Sequence, residues 1–164
     1  LLTGLMEDTG FFSNAATTPT SLEAAGQMLA SGARTSDIQR SLIQDKDVES
    51  IRLWGKILAR LRYNPKYDIA VTYALLSDVP QGQNGDLEGM SNFLNAVTSQ
   101  AGVILVLSEQ LGDEVKGSFR SLTKDVSKLA RLLGGGGHKK AAGFTLKGRI
   151  LETADGPRIQ PELS

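Results

Sequence analysis

Apolar positions along the chain change their period near residue 65. From Val48 to about Tyr63, the residues Val48, Ile51, Leu53, Trp54, Ile57, Leu58 and Leu61 recur at spacings of three and four. Glu49, Arg52, Lys56 and Arg60 keep to the other side, a pattern that predicts an amphipathic helix stopped by Asn64 and Pro65. The Trp54 and leucine stripe reads as packing surface. Upstream, Glu7–Ser13 reads as a loop. Thr18, Pro19 and Gly32 then punctuate a short helix as its cap, its first turn and its end. Another short helix is expected from about Ser36 to Gln44, with Ile38, Leu42 and Ile43 on one side.

Beyond residue 66 the period shortens to two. In YDIAVTYALL, Ile69, Val71, Tyr73 and Leu75 alternate with small or polar residues, as in a strand. A polar loop, Ser77–Gly85, leads to a helix from about Leu87 to Thr98. The dense run VILVL marks a central strand within Gly102–Glu109. A Gly-Asp turn at 112–113 joins it to a returning strand, Val115–Ser121. Asp125 can cap a helix carrying Val126, Leu129 and Leu132. A last strand is expected from about Gly143 to Thr153, folding back through Asp155-Gly156 onto Pro157–Gln160.

This order, strand, helix, strand, strand, helix, strand, defines an α/β class with a mixed sheet behind an almost wholly helical first part. The organisation expected is 1–46, 47–66 as connecting helix and linker, and 67–164 as the sheet domain. With 40% hydrophobic and 22% charged residues, the composition is that of a globular core, and formal net charge is zero. No global basic field exists to hold long nucleic acid, so anion recognition must be local. The absence of cysteine excludes disulfides and thiolate metal sites, and fits a cytoplasmic location. No apolar run approaches membrane-spanning length. The chain opens LLTG, without methionine, and reads as the interior of a longer protein.

Candidate chemistry centres on GGGGHKKAAGF, Gly134–Phe144, where four glycines precede the only histidine. Such a run fits neither a helix nor a packed strand, but it lets an anion approach bare backbone N–H groups. Gly135, Gly136, Gly137 and His138 are the candidates, with Lys139 a weaker one. The alternatives are a helix C-cap after Leu133 or a flexible tether. In the preceding strand, Lys116, Ser118 and Arg120 share one face. A hydroxyl and a guanidinium in line suit phosphate or carboxylate, whereas the same pattern alone would also suit a solvated sheet face.

The stretches FRS and DVSKLARLLGGGGHKKAAGF resemble the DHH-associated domain of the DHH phosphoesterase superfamily, the RecJ-like manganese enzymes. DLEGMSNFLNAV resembles a helix of that domain, and LLTGLMEDTGFFSN resembles the last metal motif of the catalytic domain. The likeness is greatest to members that degrade very short oligoribonucleotides and dephosphorylate 3′-phosphoadenosine 5′-phosphate, or that hydrolyse cyclic dinucleotides. It implies that Asp8 is a ligand for Mn²⁺ or Mg²⁺, and that Ser118, Arg120, Gly135, Gly136, Gly137 and His138 grip the nucleotide, with Asn92 a lesser contact. Asp8 could equally make an Asx turn before Gly10. The Asp-His-His signature is absent, so this chain is expected to be inactive alone, not to retain metal, and to be the C-terminal part of a longer enzyme. The parent is expected to pair as a homodimer and to act on short RNA or small nucleotides. A non-catalytic nucleotide-binding module of the same fold is the alternative.

Overall fold

The computed structural model describes residues 1–9, 12, 17–34, 48–79, 87–98 and 100–161. The helix expected at Ser36–Gln44 lies outside the described residues, as does most of the loop Ser77–Gly85. The chain divides into two compact units, residues 1–47 and 48–164.

In the first unit, α1 (Leu2–Asp8) and α2 (Pro19–Ala30) pack through Leu2, Met6 and Ala25, with Leu5, Phe12 and Met28 around them. The loop expected from Glu7 is corrected at its start, because α1 continues through Asp8. Thr9 follows, and its buried hydroxyl donates to Leu5 O at 2.6 Å. Helix α2 follows the expected punctuation. Thr18 Oγ1 accepts from Ser21 N and Ser21 Oγ accepts from Thr18 N, a reciprocal cap behind Pro19. At its end Gly32 N donates to Leu29 O, and Ala33 N to Met28 O.

The second unit begins with α3 (Val48–Ala59), β1 (Arg62–Asn64), β2 (Ile69–Ala74) and a 3-10 turn at Leu76–Asp78. It continues through α4 (Leu87–Val97), β3 (Val103–Gln110), β4 (Glu114–Arg120), α5 (Ser127–Leu132), β5 (Gly136–His138), β6 (Ala141–Lys147), β7 (Arg149–Thr153) and β8 (Gly156–Gln160). Six strands form one sheet in the order β1-β2-β3-β4-β6-β5. Only β2 and β3 run parallel, joined through α4; the other pairs are antiparallel. The mixed sheet is therefore as the sequence pattern predicts.

Three boundaries differ. Helix α3 ends at Ala59 instead of Tyr63, because Arg62–Asn64 pairs with Ile69–Val71 as an edge strand. The segment read as a connector is built, from Val48 on, into the second unit: Leu53 and Ile57 of α3 are buried with Met90, Leu94, Ile104 and Val106. The last long strand is two strands, because the chain turns at Gly148, whose N–H donates to Asp113 O at 2.7 Å. β7 and β8 then form their own two-stranded ribbon.

The two sheet faces are covered unequally. One face presents Tyr73, Leu107, Val115, Phe119, Ala142 and Phe144, and is buried by Ala130 of α5, by Val126 just before that helix and by Ile150 of β7. The other is covered over β2 and β3 by α3 and α4. There the burial stops short of the outer strands. In β4, Val115, Gly117 and Phe119 are buried, while the alternate residues Lys116, Ser118 and Arg120 are exposed or half-exposed. β6 repeats this, with Ala142 and Phe144 buried and Ala141, Gly143 and Thr145 not.

Candidate functional site

Side chains of residues directly opposed in an antiparallel pair point to the same face, so register assembles the open face row by row. Ser118 of β4 opposes Gly143 of β6, which opposes Gly136 of β5. Arg120 opposes Ala141, which opposes His138. Lys116 opposes Thr145. The result is a shelf of three strands with a floor of Ala141, Gly143 and Gly136. Lys116, Ser118 and Arg120 stand along one side, about 7 Å apart in succession. His138 lies on the far edge, about 10 Å across two strand spacings from Arg120. Sequence reasoning did not single out Gly143, and nothing in the run Ala141–Phe144 marks which of its small residues faces outward.

The glycine run is not the loop that its composition suggests. Gly134 ends α5: its N–H donates to Arg131 O, Gly135 N donates to Ala130 O at 2.8 Å, and Gly134 sits at φ +76°. The helix-cap alternative is thus correct for the first glycine. Gly136 and Gly137 then enter β5 with His138, a strand but not the packed kind that such a run excludes. A three-residue edge strand need not be packed on both sides, and all three residues are exposed. Ala141 and Ala142, whose composition suits a helix, belong to β6 because they pair with Arg120 and Phe119.

Arg120 is held from two directions. Its Nε donates to Asn92 Oδ1 at 3.0 Å and its Nη1 to Phe119 O at 3.1 Å. Asn92, on α4, and Arg120, on β4, are therefore brought together. Lys139 is exposed in the turn between β5 and β6, and its carbonyl accepts from Val126 N at 2.8 Å. Asp125 does serve the start of α5: its Oδ1 accepts from Ser127 N and Ser127 Oγ. Those bonds, the side-chain one foremost, hold its carboxyl below the usual value. One cluster escaped sequence reasoning. Asp68 accepts from Lys124 Nζ at 2.5 Å, Gly102 N and Tyr63 OH, tying β1, β2 and β3 to the loop after β4. Its residues are scattered in sequence, so no local pattern marks it.

Asp8 is the exposed last residue of α1, in the first unit. Among the described residues no three His, Cys, Asp or Glu side chains cluster as a metal site. The shelf carries the hydroxyl of Ser118, the guanidinium of Arg120 and the imidazole of His138. No helix among the described residues is long and apolar enough to cross a membrane.

A mixed sheet with one face half open, floored by glycine and alanine and edged by Lys116 and Arg120, defines an α/β domain. Residues 68–156 match the DHHA1 domain, and the chain belongs to that family. It is 32% identical over 156 residues to the bifunctional oligoribonuclease and PAP phosphatase NrnA of Thermus thermophilus, covering 94% of this chain and 46% of that protein. It is 30% identical over 169 residues to an A-adding tRNA nucleotidyltransferase of Geobacter sulfurreducens, covering 99% of this chain and 18% of that one. In three dimensions it resembles an exopolyphosphatase-related protein of Bacteroides fragilis, with a TM-score of 0.74 and 26% identity over 85% of this chain and 42% of the other. The chain thus spans less than half the length of each of these relatives.

Proposed function

We propose that this chain is the nucleotide-gripping part of a phosphoesterase acting on short oligoribonucleotides or small phosphonucleotides. The observation that carries the reading is the strand register that lines up Ser118, Gly143 and Gly136 in one row, and Arg120, Ala141 and His138 in the next, on the uncovered face. Arg120 supplies a charge-assisted hydrogen bond to a phosphate, Ser118 a hydroxyl, and Gly135–Gly137 a backbone that a sugar or phosphate can approach closely. His138 closes the far edge with a ring contact. Lys116 extends the cationic side. Kinship with a protein named for oligoribonuclease and PAP phosphatase activity supports this substrate class.

The hydrolytic chemistry is assigned to the longer parent. A catalytic pair of Mn²⁺ or Mg²⁺ ions needs several hard oxygen or imidazole ligands, and Asp8 alone does not supply them. This chain binds and positions; it does not cleave.

The test is calorimetric titration of the chain, with EDTA present, with 5′-phosphorylated diadenylate and with 3′-phosphoadenosine 5′-phosphate. Arg120→Ala should weaken binding by about tenfold or more, since a hydrogen bond to a charged group contributes about 1.5–3 kcal/mol. Affinity should fall with added salt. Binding that survives unchanged in Arg120→Ala, Ser118→Ala and His138→Ala would move the site elsewhere.

A second reading draws support from the tRNA nucleotidyltransferase, in which the matched region is 18% of the protein. In that reading the domain is a portable, non-catalytic recognition module. An upstream reading frame carrying an Asp-His-His motif selects the first reading, and one carrying a nucleotidyltransferase domain selects the second.

A further inference from the structure

We infer that Asn92 is a positioning residue for the proposed nucleotide site, acting through Arg120 and not by touching the ligand; the inference rests on the reading of that site above. An arginine on an open sheet face would sample many rotamers, and ordering it on binding would cost much of the affinity it adds. Here the guanidinium is tied before any ligand arrives. Its Nε–H is taken by Asn92 Oδ1 at 3.0 Å and one Nη1–H by Phe119 O at 3.1 Å. Two bonds from different atoms fix the plane as well as the place of the group, and a planar fork needs that for bidentate recognition of a phosphate.

Asn92 can serve as a stop because its own helix does not move easily. Met90, Ser91 and Leu94 of α4 are almost fully buried, the first and last against Ile57, Ile104 and Val106. Ser91 Oγ donates to Leu87 O. Asn92 itself is exposed on the flank of α4 where the helix meets β4. An asparagine there is a neutral acceptor. An aspartate would hold Arg120 equally but place a negative charge beside an incoming phosphate.

Two measurements test this. In a ¹H–¹⁵N spectrum of the ligand-free chain, the Arg120 Nε–H signal should be resolved and slow to exchange, be lost to fast exchange in Asn92→Ala, and return in Asn92→Asp. In titrations with 5′-phosphorylated diadenylate, Asn92→Ala should bind about three- to tenfold more weakly than wild type, with an unchanged melting temperature. In an Arg120→Ala background the same change should have no further effect, which a ligand contact or a general loss of structure would not produce. If Arg120→Ala weakens binding and Asn92→Ala does not, or if the two losses add independently, Asn92 is not positioning Arg120. If Arg120→Ala binds as wild type, both the site and this role for Asn92 are wrong.

Discussion

A methyl group placed on Gly137 would lie 2.6 Å from the Cα of Ala142, on a backbone held at φ +135°. One on Gly135 would lie 2.7 Å from the Cα of Phe144 and closer still to Gly143 O. These glycines are required by the fold, which lets β5 lie against β6. Gly136, between them, has an ordinary φ and open space where a Cβ would stand. If the proposed site is correct, the ligand is what needs that space. Gly137→Ala should therefore cost about 1–3 kcal/mol in urea denaturation, whereas Gly136→Ala should change stability by less than about 1 kcal/mol and still weaken dinucleotide binding. Equal stability losses at the two positions would contradict this division of roles.

At the level of elements, the end of α3 is fastened to the turn after β2 by charge. Asp78, 6% exposed, pairs with Arg60 and with Lys56 Nζ at 3.2 Å, and accepts from Leu75 N at 2.9 Å. Arg60 continues to Glu152 of β7 at 3.3 Å and lies over the ring of Tyr73. Burial is the largest single influence on the Asp78 carboxyl and opposes its ionisation. Arg60, the Leu75 N–H and Lys56 together outweigh burial and hold the pKa below its ordinary 3.8. A carboxyl whose folded pKa is depressed stabilises the fold above the unfolded value, and that stability is lost as pH falls through the folded value. Asp78→Asn should thus cost about 1–3 kcal/mol at pH 7. The gap between variant and wild type should narrow in denaturation curves taken below pH 3.8. A gap independent of pH would show that the ion pairs do not stabilise this junction.

For the molecule as a whole, among the described residues the two cores that sandwich the sheet draw only on positions from 48 onward, and the small core of the first unit only on positions before 48. A unit with its own core can fold by itself. Residues 48–164, expressed alone, should unfold in one cooperative urea transition with a slope of about 1–3 kcal/mol/M, and should bind the diadenylate as the whole chain does. A broad, non-cooperative transition would mean that residues 1–47 complete the fold.

How much of this was legible beforehand follows from range. Thr18-Pro19 opening α2, Gly32 ending it, the Gly-Asp turn between β3 and β4, and the alternation that puts Lys116, Ser118 and Arg120 on one face all depend on neighbours a few residues apart. Local sterics and hydrogen bonding decide these, so the sequence by itself determined them. The break at Gly148 and the hydrogen bond from Arg120 to Asn92 depend on partners far away in the chain, while β5 and β1 pair with the strands that follow them, β6 and β2, which are themselves held by β4 and β3. A glycine run carries no propensity of its own that could announce a strand; β6 supplies the hydrogen-bonding edge that makes it one. Only the tertiary structure puts Gly136 and His138 on the open face with Ser118 and Arg120, because β6, which carries β5, takes its register from β4 with Ala142 and Phe144 buried on the other face.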